Sequence, residues 1–185
     1  MSADKLQSWF QAGAGFKKLL TSLPWLIALL IACSYGGYFL GQRFYSTASL
    51  TAHARAIGTQ LARMSDGMVL LNAAGIAPLW EETVFRLVPF CLLFAFLWLF
   101  KLKNTRIGLW AVIIGIGVTS LIFGLVHGPH NYFIQGPIGV ILAVVYVKWS
   151  SFGGGILAAL KGWFASMLVH GSYNAVLMTL YLMHR

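Results

Sequence analysis

The sequence predicts an all-α, polytopic membrane helix bundle with about five or six transmembrane helices around a polar intramembrane cavity. Three observations carry that prediction. The chain is 59% hydrophobic and only 9% charged, where a soluble domain carries about 25% charged residues, and its mean hydropathy is +0.79. No Asp, Glu, Lys or Arg occurs from Leu19 to Gln42, Leu87 to Phe100, Ile107 to Val147 or Gly162 to His184, and about 20 apolar residues cross a bilayer as a helix. The chain's only two glutamates, Glu81 and Glu82, stand side by side between apolar segments. Ionisable groups in such a setting are costly and mark a site. Helices must dominate, because backbone in lipid has to satisfy its own hydrogen bonds, and the alternation of a membrane barrel is absent.

The elements follow in order. Residues 1–22 form a basic N-terminal segment, and 23–185 a single membrane-embedded domain. A first helix is expected from Leu23 to Leu40, with Pro24 near its start, where proline is tolerated. Leu30-Ile31-Ala32-Cys33 resembles a lipoprotein cleavage box, but the apolar run continues through Leu40, so an uncleaved helix is expected. Leu50, Ala54, Ile57, Leu61 and Met64 then recur at spacings that make one apolar stripe on a helix. Two readings are open for it: a helix in the membrane surface, or one packed on the bundle. Pro78 is expected to break the next stretch into a short segment ending at Ala77 and a helix over 79–100. Further helices are expected over 107–127 and 131–149, the latter interrupted at Gly136-Pro137. A turn over 150–155 precedes a last helical region that reaches His184, with a break at Gly162.

Charge and cysteine usage exclude other classes. The net charge of +9 comes from residues flanking the apolar runs, such as Lys17, Lys18, Lys101, Lys103, Arg106, Lys148 and Lys161. That is the pattern of membrane-helix flanks, and no nucleic-acid-binding motif accompanies it. Two cysteines, Cys33 and Cys91, build neither a disulfide framework nor a zinc ribbon and read as small buried hydrophobes. Trp25, Trp80, Trp98, Trp110 and Trp149 read as interfacial anchors, and the aromatic run from Phe90 to Phe100 as packing.

Three pairs fall at i,i+4 in three separate apolar helices: Glu82 with Arg86, Phe123 with His127, and His170 with Asn174. Each pair shares one helix face. If the faces converge, one pocket holds two carboxylates, two imidazoles, an amide and a guanidinium. There is no HExxH, no Gly-x-Ser-x-Gly, and no aspartate near an apolar helix centre to build a serine triad. A carboxylate and a histidine can together take a proton from an attacking water. A second histidine with an asparagine can stabilise an oxyanion. His130 reads as a loop histidine, and His53 and His184 as solvent or interfacial groups.

Those residues resemble the CPBP family, which comprises the type II CAAX prenyl proteases and the bacteriocin-processing, Abi-like or immunity proteins, a group of glutamic intramembrane proteases. The family pattern EExxxR, FxxxH, HxxxN on successive membrane helices is matched in order by Glu81-Glu82-Thr83-Val84-Phe85-Arg86, by Phe123-Gly124-Leu125-Val126-His127 and by His170-Gly171-Ser172-Tyr173-Asn174. The resemblance covers residues 77–180. It implies a water activated by Glu81 and His127 and an oxyanion held by His170 and Asn174. It also implies structural roles for Glu82, Arg86 and Phe123, with neither metal nor other cofactor. Where the family often has glycine after the arginine, this chain has Leu87. The segment 150–162, with Lys161, is longer than usual, and the flanking helices of larger members are expected to be missing.

The resulting expectation is a multi-pass intramembrane endopeptidase of a bacterial inner membrane, acting near a hydrophobic or lipidated anchor of a membrane-bound protein or peptide. Three alternatives use the same pocket. One is a zinc hydrolase with Glu81, His127 and His170 as ligands, one a proton-coupled carrier, and one an inactive immunity or scaffold protein. Glu81 and His127 each lie about 20 residues, or about 30 Å of helix, from the Lys101–Arg106 cluster. His170 lies only nine residues, or about 14 Å, from Lys161. Either Lys161 is buried or snorkels, or the number of crossings differs by one.

Overall fold

The computed structural model describes residues 3–11, 15–151 and 155–184, and all of its regular elements are helical. Among the described residues seven helices follow one another: α1 (Ala3–Gln11), α2 (Phe16–Gly41), α3 (Thr47–Leu61), α4 (Asp66–Leu99), α5 (Arg106–Val126), α6 (Tyr132–Trp149) and α7 (Ile156–Met183). Four of them, α2 from Lys17, α4, α5 and α6, are long and apolar enough to cross a membrane. The 28-residue α7 is not among the four. It carries Lys161, Ser166, His170, Ser172 and Asn174, and its buried residues include Ser166 and His170.

Local chemistry sets the helix starts. Ser46, Ser65 and Thr105 cap α3, α4 and α5, each side-chain oxygen accepting the N–H of the residue three positions on, as N-cap residues do. At the other end of α5, His127 is the C-cap. Gly128 follows at φ +85°, a left-handed conformation that glycine adopts without strain.

α6 is the most buried of the four spans. One core cluster gathers Phe90, Phe94 and Leu97 of α4 with Val112 of α5 and Tyr146 of α6. The other gathers Leu19 and Leu30 of α2, Phe123 of α5, Ile138 and Leu142 of α6, and Val169 and Tyr173 of α7. The N-terminal segment joins the first cluster. Phe10 of α1 is buried in it, and the Lys148 ammonium donates to the Trp9 carbonyl and lies over the Trp9 ring. α2 begins within the segment expected to be separate.

Three expected breaks are absent, each for a physical reason. α4 runs unbroken for 34 residues because its turns widen to π geometry at Asn72–Ile76 and Thr83–Leu87, which accommodates Pro78 between them. α6 continues through Pro137. The Phe133 carbonyl, which Pro137 cannot bond, lies where a side chain on Gly37 of α2 would stand, so the glycine lets α2 pack against the freed oxygen. α7 continues through Gly162, where a Cβ would come within 2.5 Å of the Tyr146 carbonyl and 2.8 Å of Ser150 Cβ. That glycine therefore serves the close approach of α6 and α7.

Other expectations are corrected. Trp149 is buried, only 7% exposed, and is not an interfacial anchor, whereas Trp25, Trp80, Trp98 and Trp110 are exposed. α3 buries no residue, which favours the surface-lying reading over the packed one. His53 stacks on His130, with ring centroids 5.0 Å apart, and so is not free in solvent. Of the turn expected over 150–155, residues 152–154 lie outside the described residues. Lys161 is exposed and stands inside α7, five residues beyond its start at Ile156. Measured from the helix start, His170 lies about 21 Å along α7, which removes most of the apparent mismatch with α4.

Candidate active site

The three motif helices bring their polar faces together. Glu82 and Arg86, four residues apart on α4, are both fully buried, with Oε1 and Nη1 3.3 Å apart. Arg86 Nη2 donates to the Gly139 carbonyl of α6 at 3.3 Å, and its guanidinium lies 4.3 Å over the Phe123 ring. Phe123 is the hub of the site. Besides that cation, it packs against His127, His170 and Phe85, with centroid separations of 4.4, 6.1 and 5.3 Å.

Both imidazoles are oriented by the hydrogen bonds at Nδ1. His127 Nδ1–H donates to the Phe123 carbonyl at 2.7 Å, so Nε2 faces outward. His170 Nδ1–H donates to Glu82 Oε1 at 2.9 Å, so its Nε2 also faces away from the buried pair. Glu81 sits between the two free nitrogens. Its Oε1 is 3.7 Å from His127 Nε2, and its Oε2 is 3.7 Å from His170 Nε2. Glu81 and His127 are 21% and 23% exposed, against 0% for Glu82 and Arg86. The site thus has an accessible half and a sealed half, built from adjacent residues of one helix.

Asn174 stands one turn beyond His170 and donates through Nδ2 to the Ala73 carbonyl of α4 at 2.8 Å. Pro78 explains why that carbonyl is available. In the π segment the Ala77 N–H bonds to the Asn72 carbonyl, so the next bond in that register would run from residue 78 to Ala73. Proline has no N–H to make it. In α register the same missing donor would have served Ala74. A Cβ on Gly171 would collide with the Ala74 carbonyl, so the glycine of the third motif lets α7 lie against it. Farther along the α4–α7 contact, Trp163 Nε1–H donates to Thr83 Oγ1 at 3.1 Å.

The sequence singled out Glu81, Glu82, Arg86, Phe123, His127, His170 and Asn174, and all seven lie on the facing surfaces of α4, α5 and α7. It missed the Gly139 carbonyl, Gly171 and the Pro78-freed carbonyls. Of these, the signals present in the sequence were the proline three residues ahead of the glutamate pair and the glycine inside the third motif. A zinc site requires Glu81, His127 and His170 to converge as ligands. Among the described residues no group of three His, Cys, Asp or Glu side chains is placed to hold a metal ion.

A family model described as Rce1-like, type II CAAX prenyl endopeptidase, matches residues 64–176, a span that holds all three motifs. The chain belongs to the Rce1-like type II CAAX prenyl endopeptidase family. Searches of curated proteins and of solved structures return no match. Family membership, with four helices apolar and long enough to cross a bilayer, makes this an integral membrane protein and an intramembrane protease of the CAAX type in general. In this Rce1-like chain the family match begins at the start of α4 and ends just past Asn174, so it coincides with the helices that build the site.

Proposed function

We propose that the chain is a glutamic intramembrane endopeptidase, in which Glu81 and His127 activate a water that attacks a peptide bond near the hydrophobic or lipidated anchor of a membrane-bound substrate. One observation carries this reading. The partly exposed Glu81 carboxylate stands between two imidazole nitrogens, each 3.7 Å away. That separation is too long for a direct hydrogen bond, and it leaves the carboxylate and both nitrogens facing a position that a water can share.

The steps follow from the donors. His127, held by its bond to the Phe123 carbonyl, presents Nε2 to the water beside Glu81. Glu81 takes a proton as the water oxygen bonds to the substrate carbonyl carbon, and the carbonyl π electrons move onto its oxygen. His170, which must carry a proton on Nε2 as well as on Nδ1 to donate there, and an N–H of Asn174 stabilise that oxyanion. Collapse breaks the C–N bond, and the proton returns through Glu81 or His127 to the leaving nitrogen. Glu82, Arg86 and Phe123 hold the arrangement and touch no reacting atom. On this reading residues 23–185 form one multi-pass domain of a bacterial inner membrane, α7 is a fifth crossing, and 77–180 carry catalysis. A groove of about 510 Å³ between α4 and α7, lined by Leu71, Ile76, Leu79, Leu168 and Gly171, borders the site beside His170. It offers an apolar anchor lateral entry.

The test is accumulation of an uncleaved membrane-anchored precursor in whole cells carrying Glu81→Gln or His127→Ala. Either variant is expected to lower turnover at least about 100-fold, the range for removal of a general base, with the protein still folded. Processing at the normal rate in Glu81→Gln cells overturns the reading. Full inhibition by a chelator, with stoichiometric zinc in the purified protein, replaces it with the metal hydrolase.

A further inference from the structure

The two ends of the bundle are chemically unlike. One end gathers Lys5 of α1, Lys17 and Lys18 at the start of α2, Lys101, Lys103 and Arg106 between α4 and α5, Lys148 at the end of α6 and Lys161 near the start of α7. These are eight of the chain's thirteen Lys and Arg residues. The opposite end holds Arg43, Arg55 and Arg63, around α3 and the loop between α5 and α6, and in the sequence Arg185 follows α7. Acids do not offset the difference, since Asp4 belongs to the first end and Asp66 to the second.

The site belongs to the second end. His127 is the residue on which α5 stops. Its carbonyl accepts from Asn131 Nδ2 at 3.4 Å, and the same Nδ2 contacts His53 of α3 at 3.2 Å. Ser49 Oγ and His130 Nε2 are 2.5 Å apart. The catalytic histidine thus lies beneath a polar cluster tied to the surface helix α3. Along α4 Glu82 stands near the middle, about 24 Å from Asp66 and about 26 Å from Leu99 at 1.5 Å per residue; it is α5, about 32 Å from Arg106 to its stop at His127 and so as long as the hydrocarbon core is thick, that sets the site toward the second end.

Short flanks rich in Lys and Arg stay on the cytoplasmic side. We infer that the site opens at the extracytoplasmic face, and that its substrates are membrane-anchored chains whose cleavable bond emerges on that face. The inference rests on the protease reading for its substrate class and on charge placement for its orientation. A prenylated cysteine tail anchored in the cytoplasmic leaflet keeps its peptide bonds at headgroup level beside the basic end, most of a bilayer away from Glu81. The class that fits is an exported protein held by a transmembrane segment or lipid, with a short polar stretch on the outer side.

Single cysteines test the orientation without needing activity. In a Cys33→Ser, Cys91→Ser background, Lys17→Cys and Lys101→Cys report the basic end, and Arg63→Cys and His184→Cys the site end. Intact cells are treated with a membrane-impermeant maleimide, then lysed and labelled with a permeant fluorescent one. The expected result is near-complete blocking of the Arg63 and His184 variants in intact cells, and blocking of the other two only after permeabilisation. Alkaline phosphatase fused after the last residue should be active. The reversed pattern, or blocking of both ends in intact cells, overturns the inference. Adding Glu81→Gln must leave the labelling unchanged, so failed orientation and failed protease chemistry are read separately.

Discussion

Replacing Arg86 by methionine keeps most of the side chain's length and removes its charge. The consequence can be worked from the contacts. Arg86 and Glu82 are both fully buried at 3.3 Å, and removing one member of a buried ion pair costs about 3–5 kcal/mol because the other is left uncompensated. Loss of the bond to the Gly139 carbonyl adds about 1–3 kcal/mol if that oxygen stays unsatisfied. The contact over Phe123 adds about 1–2 kcal/mol. These losses overlap, and His170 still donates to Glu82, so about 4 kcal/mol is expected, close to a thousandfold in the folding equilibrium. The double variant Glu82→Gln, Arg86→Met carries no stranded charge and should recover about 2 kcal/mol of that loss. Recovery is expected because Glu82 Oε2 and Arg86 Nε have no hydrogen-bond partner among the described residues. The pair is incompletely satisfied, and its value lies in neutrality. Reversible unfolding in mixed micelles, followed by fluorescence, measures Arg86→Met, Glu82→Gln and the double variant. A loss below about 1 kcal/mol for Arg86→Met, or a double variant no better than the sum of the singles, would refute this electrostatic account of the pair.

Two further perturbations probe the contact between α4 and α7. Gly171→Ala places a methyl against the Ala74 carbonyl. It should cost about 1–3 kcal/mol as overpacking and lower turnover by displacing His170 and Asn174; unchanged stability and processing would remove the close approach from the account. Asn174→Ala should cost about 1–3 kcal/mol by leaving the Ala73 carbonyl unpaired, but much less in a Pro78→Ala background, where a restored N–H can serve that oxygen. Equal cost of Asn174→Ala in both backgrounds, measured by the same unfolding assay, counts against proline as the origin of the free acceptor.

Much of this was legible in the sequence because membrane chains advertise it. Charge-free runs locate the spans, and a chain with two glutamates cannot hide where it spends them. The i,i+4 spacings placed Glu82 with Arg86 and His170 with Asn174 on common faces, and those faces do meet. That the helices run on through Pro78, Pro137 and Gly162 was not legible, because residue type gives the local tendency but not the neighbour that compensates it. Pro78 is absorbed by π turns on both sides, and the carbonyls it frees are served by α7. Gly162 answers to Tyr146 and Ser150 on another helix, a pairing that no local pattern encodes. Trp149 was misplaced for the same reason: its position at a helix end suits an interface, but α2 and α7 cover it.

Charge counting gives a reason for two adjacent glutamates where one general base would suffice. Burying net charge in a low-dielectric site is far more costly than burying a neutral set. With both carboxylates ionised and Arg86 charged, the cluster of Glu81, Glu82, Arg86, His127 and His170 is neutral only when it holds one more proton. Glu82 and Arg86 form a sealed neutral pair at 0% exposure, so that proton belongs to the other three groups, Glu81 and the two imidazoles. On the proposed reading this is what water activation requires: one mobile proton shared by three groups whose facing atoms are 3.7 Å apart. Glu82 then acts without touching substrate, by fixing His170 through Nδ1 and holding Arg86 in place. A single glutamate would have to anchor the arginine and accept the water's proton at once, and an acid neutralised by a guanidinium is a poor base.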